Sequence, residues 1–415
     1  MPICAPASKG LRIYEISPII RKSKVRRAAV SKTCNKASSL CAFAAVGTSC
    51  YPLTAAKKQT TIKKKMNALS EPASHLFISE FGNLSAVVLK RLELEWRYHK
   101  RPDLAKADQQ ILQNALEFGR LLKVVYRHHL FSVLHEESQW YAGVFAARGS
   151  SHDAFELLLD SWIIAIQGVI KPPECNELAQ PIRAIRDSLP LLITQAQQQS
   201  RTAPEPAVLL LLESLVRGDV RGGREVLLGM AAKGTPPEKL IVEVMLPAMA
   251  EIGRRWELNE MEIFQEHLAT EAIQSLLSGL PLLMTGAAPK QMPSALVSCV
   301  PGEEHALIPL ALAAYLEFKG WPVKNLGRNL PSAQIVRAVA AFSPEVLFLT
   351  FTTISMLDEA MEVIEQCRTA STRCRIILGG RGAIATKAIL EKTGALVASD
   401  FEECFHWAAE GAKNA

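Results

Sequence analysis

The hydrophobic pattern changes at Ser294, and this change restricts the possible fold more than any other feature of the chain. From there on, short strand-like apolar runs alternate with longer helical stretches. The strand-like runs cover residues 294–300, 321–326, 345–351, 374–378 and 395–398. Such alternation is typical of βαβ units that build a parallel sheet. We therefore expect an α/β domain of the Rossmann-like, flavodoxin-like type over residues 292–415.

Residues suited to binding a ligand follow three of these runs. Glu303 and His305 come after the first run, Ser355 and Leu357 after the third, and Gly379-Gly380 after the fourth. Ligands of parallel α/β sheets bind off the carboxyl ends of the strands, and these loops converge at that edge. The sequence therefore predicts one ligand site built from the three loops.

His305 is the candidate metal ligand of this site. A neutral imidazole is a good ligand for cobalt or iron. Glu303, two residues earlier, has the spacing to orient that imidazole by a hydrogen bond. The glycines of Gly379-Gly380 let the backbone approach a ligand closely. A histidine at the start of a helix can also be held by local hydrogen bonds alone, and these residues leave both interpretations open.

Residues 203–286 predict a small bundle of four helices before the sheet. The breaks between them fall at Gly218-Asp219, Gly222-Gly223 and Gly234-Thr235-Pro236-Pro237. Thr235 and Glu238 have the spacing of a capping box, which makes Pro236 the first helical residue. The third and fourth helices carry Trp256 and the pair Glu266-His267.

Residues 67–198 also read as helical throughout, because apolar residues recur at intervals of three and four. The role of this domain is not indicated by any motif. Its paired His128-His129 could bind haem or a metal, but packed or solvated side chains explain the pattern better. We expect no helix-turn-helix and no direct nucleic-acid partner.

The first 66 residues form a basic extension that we expect to be disordered. Residues 1–65 hold fourteen Lys and Arg and one acid, Glu15. The net charge of +6 for the whole chain therefore comes from this extension and does not describe the folded part. The remainder holds 33 basic and 40 acidic residues, a poor surface for DNA. The extension resembles a transit peptide in composition, and translation from Met66 is the alternative. The chain has no run of apolar residues long enough for a membrane span, and we expect a cytoplasmic protein.

The C-terminal half, over roughly residues 203–415, resembles the cobalamin-binding module, in which a four-helix cap precedes a Rossmann-like domain. This module occurs in methionine synthase, in corrinoid methyl carriers and in light-responsive cobalamin-dependent regulators. The loops around Glu303-x-His305, Ser355-x-Leu357 and Gly379-Gly380 match it in order and spacing. The cap residues Trp256 and Glu266-His267 make the light-responsive branch the most similar.

The resemblance implies a role for each of these residues. His305 would displace the nucleotide base of cobalamin and become the lower axial ligand of cobalt. The loops at Ser355, Leu357, Gly379 and Gly380 would hold the nucleotide tail. On the cap, the side chains that would cover the upper face are Trp256, Glu266 and His267.

Two positions depart from the family pattern. Ile308 stands where the family loop has glycine, and a branched side chain there could narrow the slot for the tail. Glu257 stands where the best-known light-responsive members have a histidine after the tryptophan. A light-state adduct with two histidines on cobalt is therefore not expected.

The favoured function is a cobalamin-binding sensory or regulatory protein that acts through a protein partner or as a homo-oligomer. Adenosylcobalamin-based light sensing would be its mechanism. A corrinoid methyl carrier that uses methylcobalamin is the main alternative. A haem-binding sensor on the same fold, favoured only by Ile308, and a scaffold without a cofactor also remain. No acid–base or nucleophile constellation indicates an enzyme in its own right.

Overall fold

A computed structural model describes residues 69–99, 108–147, 152–198, 203–283, 293–371 and 373–412. The basic extension predicted for residues 1–66 lies outside these described residues. None of the helices in the described ranges is both long and apolar enough to span a bilayer.

The first described part is a helical region. Its helices are α1 (Glu71–Ser79), α2 (Phe81–His99), α3 (Asp108–His128), α4 (Phe131–Ala147), α5 (His152–Val169), α6 (Glu174–Asp187) and α7 (Leu189–Gln197). Aromatic side chains dominate its centre: Phe77, Phe118 and Trp162 are fully buried. The Nε1–H of Trp162 donates to the carbonyl of Ala115 on α3, so α5 is fixed against α3 by a buried hydrogen bond.

The cap follows as a second group of helices. They are α8 (Pro206–Val216), α9 (Val220–Ala232), α10 (Pro237–Lys239), a π-helical segment (Leu240–Met245), α11 (Leu246–Glu257) and α12 (Ile263–Leu283). The predicted break at Gly222-Gly223 is wrong, because both glycines lie inside α9. The predicted start at Pro236 is wrong by one residue. Pro236 is the N-cap, with φ −62° and ψ 145°, and no side chain caps the helix. Because Pro237 follows it, the helical region is disfavoured for Pro236, which adopts the extended conformation instead.

The sheet domain has the predicted parallel architecture. Its strands are β1 (Ala295–Cys299), β2 (Val323–Gly327), β3 (Val346–Thr350), β4 (Arg375–Gly379) and β5 (Leu396–Val397). Its main helices are α13 (Leu307–Phe318), α14 (Ser332–Phe342), α15 (Leu357–Ala370), α16 (Arg381–Ala385), α17 (Lys387–Leu390) and α18 (Phe401–Ala412). The strand order is β2-β1-β3-β4-β5, and every pairing is parallel. This is the flavodoxin-like order, so the predicted fold class is confirmed.

The two faces of the sheet belong to two different cores. Leu296 of β1 and Leu347 of β3 join the core that also contains the helical region. Val297 of β1 and Phe348 of β3 join the core that contains the cap. Successive residues of a strand point to opposite faces, so both faces are buried and the strands are apolar throughout. The helical region and the cap therefore pack against the same sheet domain.

Candidate functional site

Glu303 fixes the loop after β1 to the loop after β3. Its carboxylate is 1% exposed. Oε1 accepts the backbone N–H of His305 at 2.9 Å, and Oε2 accepts the backbone N–H of Thr352 at 2.6 Å. Burial alone would raise the pKa of Glu303, but the charge of His305 and these hydrogen bonds outweigh it and hold the pKa below its ordinary value. The carboxylate is therefore a fixed anion at the carboxyl edge of the sheet.

The imidazole of His305 lies against this carboxylate and is 7% exposed. Its Nδ1 is in ion-pair contact with Oε1 of Glu303. Its Nε2 is buried and has no hydrogen-bond partner among the described residues. Local hydrogen bonds therefore do not account for this histidine. In the neutral tautomer with its proton on Nδ1, facing the carboxylate, Nε2 carries a free lone pair, which is the arrangement of a metal-binding histidine.

The loop after β3 brings Ser355 and Leu357 to the same edge. Ser355 lies in a 3₁₀ turn (Ile354–Met356), and Leu357 is the fully buried first residue of α15. The hydroxyl of Ser355 is buried and has no hydrogen-bond partner in the described part of the chain. Like Nε2 of His305, it is a polar atom whose burial is unfavourable unless a further group binds to it.

The two glycines at the end of β4 have different surroundings: Gly380 is tightly packed, whereas Gly379 has open space beside it. Gly380 has φ +95°, and a Cβ there would lie 2.5 Å from the carbonyl oxygen of Phe351. A Cβ at Gly379 would have no heavy atom within 4 Å. The loops after β1, β3 and β4 thus meet as the sequence predicted, with open space beside Gly379.

The cap contributes a buried carboxylate to this region. Glu266 is 2% exposed; its Oε1 accepts the hydroxyl of Thr270 at 3.0 Å, and its Oε2 is 3.2 Å from Nδ1 of His267. Burial raises the pKa of Glu266, while the charges of His267 and His305 and the bond from Thr270 act in the opposite direction. Because the charge of His305 acts on the pKa of Glu266, this carboxylate lies within electrostatic range of the loop after β1.

The other two cap residues are placed differently. Trp256 is 5% exposed near the C-terminal end of α11. The side chain of His267 is 39% exposed. Of the predicted Glu266-His267 pair, only the carboxylate is buried.

Helices of the helical region also line the site, and the sequence did not predict this contact. A cavity of about 260 Å³ lies between the loop of His305 and helices α3 and α4. Its walls are formed by Gln113, Asn114, Glu117, Arg120, Trp140, Tyr141, Val144, Phe145, Gly302, Glu303, Glu304, His305, Thr353 and Met356. The polar face of α3 looks like a solvated helix face in the sequence, and no local signal indicates its neighbour.

Hydrogen-bonded contacts hold the helical region against the sheet domain and the cap. Asp358 accepts from Arg127 at 2.7 Å and pairs with Nε2 of His128 at 2.9 Å. Arg381 binds both carboxylate oxygens of Glu137, at 2.5 and 3.1 Å. Nε1 of Trp140 donates to Glu257 at 2.8 Å.

Each of these contacts falls next to a predicted cofactor residue. Asp358 follows Leu357, Arg381 follows Gly380, and Glu257 follows Trp256. Residues of the helical region therefore contact three of the predicted binding segments, each at the position next to a predicted cofactor residue.

Comparison with protein families identifies the class of the C-terminal half. Residues 210–280 and residues 293–405 each match a family model described as a B12 binding domain. The first match covers the cap helices, and the second covers the sheet domain. The chain therefore carries a cobalamin-binding module, formed by a helical cap and a Rossmann-like domain, as the resemblance of the sequence implied. These matches support cobalamin and give no support to haem.

Two curated relatives are transcriptional repressors of Myxococcus xanthus. The HTH-type transcriptional repressor CarH is 28% identical over 158 residues, which are 38% of this chain and 52% of the relative. The HTH-type transcriptional repressor CarA is 30% identical over 159 residues, which are 38% of this chain and 53% of the relative. The chain thus spans about half the length of these two relatives.

Corrinoid proteins also match. The trimethylamine corrinoid protein of Methanosarcina barkeri is 23% identical over 188 residues, which are 44% of this chain and 85% of that protein. Among solved structures, the monomethylamine corrinoid protein of the same organism is 20% identical and gives a TM-score of 0.42, with 48% of this chain and 95% of that chain covered. The chain is thus similar to transcriptional repressors and to corrinoid proteins.

Proposed function

We propose that this protein is a cobalamin-dependent regulator in which His305 is the lower axial ligand of cobalt. The observation that carries the proposal is the imidazole of His305, with Nδ1 on the carboxylate of Glu303 and Nε2 buried without a partner among the described residues. A carboxylate on the far nitrogen fixes the tautomer and the ring orientation of a metal-binding histidine and raises its basicity. Glu303 performs this task with a carboxylate whose Oε2 accepts the backbone N–H of Thr352 at 2.6 Å.

The loops beside His305 fit the nucleotide tail of a cobalamin. The space at Gly379 admits a ligand close to the backbone, and the buried hydroxyl of Ser355 can bind a polar atom of that ligand. Leu357 supplies an apolar wall. Ile308 is half-buried in the first turn of α13, and its branched side chain is proposed to narrow the slot for the tail.

The cap residues Trp256, Glu266 and His267 are proposed to face the upper side of the corrin ring. The cofactor would supply a cobalt–carbon bond that light can break when the upper ligand is adenosyl. A large indole excludes water and favours a bulky apolar upper ligand. Release of that ligand would change the packing around Trp256, and its neighbour Glu257 is bonded to Trp140 of the helical region. A change in the cap would thereby reach the helical region, which would pass it to a protein partner or a second copy of the chain.

Absorption spectroscopy of the full chain with adenosylcobalamin, methylcobalamin and hydroxocobalamin tests the lower ligand. The parent is expected to bind with the nucleotide base displaced by histidine. His305→Ala should lose this spectral state while its far-UV circular dichroism stays unchanged. His406→Ala is the matched control, because the His406 side chain is 63% exposed on α18. Unchanged spectra and affinity in His305→Ala would refute the proposal.

A corrinoid methyl carrier is the second candidate function. It is favoured by the corrinoid proteins of Methanosarcina, which the match covers over most of their length. A regulator of the proposed kind should bind adenosylcobalamin more tightly than methylcobalamin and change its oligomeric state on illumination. Trp256→Ala should reduce that preference. The carrier would be favoured if methylcobalamin binds more tightly than adenosylcobalamin and the size-exclusion profile is the same in dark and light.

A further inference from the structure

A buried ion pair ties the helical region to the loop after β4. Glu137 of α4 accepts from both terminal nitrogens of Arg381, at 2.5 and 3.1 Å. Arg381 is the first residue of α16 and directly follows Gly380. The side chain of Glu137 is 9% exposed and that of Arg381 is 27% exposed, so water competes little for this pair. We call the pair the β4 anchor.

The geometry of the β4 anchor suits it to fixing a position more than to adding stability. Two parallel hydrogen bonds between a guanidinium and a carboxylate constrain both the distance and the orientation of the two groups. Burial of such a pair also costs solvation, so its net contribution to stability is often small. The anchor joins residues 244 positions apart, and it therefore sets where the start of α16 lies relative to α4.

The loop that the β4 anchor holds is short and partly open. Helix α16 has five residues, too few to be stable in isolation. The backbone N–H of Gly382 donates to the carbonyl of Phe351 at 3.2 Å, which ties the loop to the end of β3. Gly379 has open space beside it, and glycine has wide backbone freedom. The position of this loop therefore depends on contacts with other elements, and the β4 anchor supplies one of them.

A second contact of the helical region acts on the loop after β3. Arg127 of α3 donates to Asp358 at 2.7 Å, and Nε2 of His128 lies 2.9 Å from the same carboxylate. Asp358 directly follows Leu357, and its side chain is 19% exposed. The helical region thus binds next to both of the loops that are proposed to line the slot for the nucleotide tail.

We infer that Glu137 is a positioning residue for the nucleotide tail, which acts through Arg381 on the loop after β4. This inference rests on the proposed function and deepens it. Glu137 keeps the loop at the distance at which its backbone meets the tail. The helical region thereby controls the affinity for corrinoids that carry a tail, whereas the binding of cobalt by His305 does not depend on Glu137.

Titration of the full chain with hydroxocobalamin and with cobinamide, a corrinoid without the tail, tests the inference. Glu137→Gln keeps the size of the side chain and removes its charge and one acceptor. It should bind hydroxocobalamin about tenfold more weakly, as expected when a charged hydrogen-bonded pair is weakened. It should bind cobinamide as tightly as the parent. A general loss of folded protein would lower both affinities together, so their ratio separates positioning from stability.

Asp160→Asn is the matched control. Asp160 pairs with Arg186 at 2.7 Å inside the helical region, and its side chain is 33% exposed. This variant should keep the parent's affinity for both corrinoids. If Glu137→Gln does not fold, Arg127→Gln provides the same comparison for the loop after β3. Its loss of hydroxocobalamin affinity should be smaller, because the Arg127 side chain is 39% exposed.

A double-mutant cycle with Arg381→Gln tests the route. If Glu137 acts through Arg381, each single variant should lose the same affinity for hydroxocobalamin. The variant that carries both changes should then lose no more than either single variant. Additive losses would overturn the inference, since the two residues would act independently.

The outcomes separate the inference from the proposed function. The inference is overturned if Glu137→Gln loses affinity for hydroxocobalamin and cobinamide equally, or if it binds hydroxocobalamin as tightly as the parent. Tighter binding of hydroxocobalamin by Glu137→Gln would mean that the helical region obstructs the slot, which also overturns it. If the parent binds neither corrinoid, the proposed function itself fails.

Discussion

Nε1 of Trp140 in the helical region donates a hydrogen bond to the carboxylate of Glu257 in the cap, at 2.8 Å. Glu257 follows Trp256, the residue expected to cover the upper face of the cofactor. It occupies the position where the best-known light-responsive regulators have a histidine. Glu257, at the position where the resemblance implies a histidine, thus provides an acceptor for a residue of the helical region. This bond joins the cap to α4.

Removing this bond should loosen the cap. Trp140→Phe keeps the aromatic ring and loses the donor, and a hydrogen bond to a charged group contributes about 1.5 kcal/mol. We expect a decrease of that order in the free energy of unfolding of the cofactor-free protein. Hydrogen exchange should become faster at the C-terminal end of α11. Trp407→Phe on α18 is the control, and equal exchange in both variants would contradict the link.

Glu303→Gln should weaken corrinoid binding by about 10- to 100-fold, the usual effect of losing the carboxylate partner of a metal-binding histidine. Both oxygens of Glu303 accept backbone N–H groups, from His305 and Thr352. An amide has one oxygen, so its NH₂ group would face one of these donors. Isothermal titration of Glu303→Gln against Glu402→Gln, an 80% exposed carboxylate, provides the comparison. If Glu303→Gln binds corrinoid as tightly as the parent, Glu303 does not orient the imidazole of His305.

Asp358 should make stability depend on pH. Burial raises its pKa, but the hydrogen bond from His128 and the charge of Arg127 outweigh burial and hold the pKa below the ordinary value of 3.8. A lowered pKa means that its contribution is complete above about pH 4 and is lost as the pH falls through the folded-state value. Asp358→Asn should be about 2 kcal/mol less stable at pH 7.

The difference between Asp358→Asn and the parent should disappear as the pH falls below 3.8. Urea denaturation of the cofactor-free proteins at several pH values measures it. Asp187→Asn is the control, because Asp187 is 68% exposed and pairs with Arg186 at the surface. A pH-independent difference would show that the Asp358 contacts act through packing alone.

Ile308→Ala should tighten cobalamin binding. The branched side chain lies in the first turn of α13, where the family pattern has glycine, and overpacking of this kind costs about 1–3 kcal/mol. Alanine relieves it and keeps the helix propensity. Cobinamide, which lacks the nucleotide tail, provides the decisive comparison, because its affinity should not change. An equal gain for both corrinoids would place the effect outside the tail slot.

Much of the site follows from local sequence. The alternation of apolar runs predicted the strands, and their carboxyl ends predicted where Glu303, His305, Ser355 and Gly379-Gly380 converge. Strand periodicity and βα loops are properties of neighbouring residues, so they can be read without the fold. Two local rules failed. The break predicted at Gly222-Gly223 lies inside α9. The capping box predicted at Thr235 does not form, because Pro237 controls the backbone of Pro236 more strongly than a capping pattern does.

Only the tertiary structure places the helical region at the site. The stripe from Gln113 to Arg120 has the polarity of a solvated helix face, and its sequence contains nothing that specifies His305 as a neighbour. Contacts such as Arg381 with Glu137 join residues 244 positions apart, and charges of these types are common on any surface. Local pattern determines which residues form strands, helices and ligand loops, because it reflects backbone preference and burial. Which polar face meets which loop depends on shape and charge complementarity between distant segments, and only the folded chain brings these together.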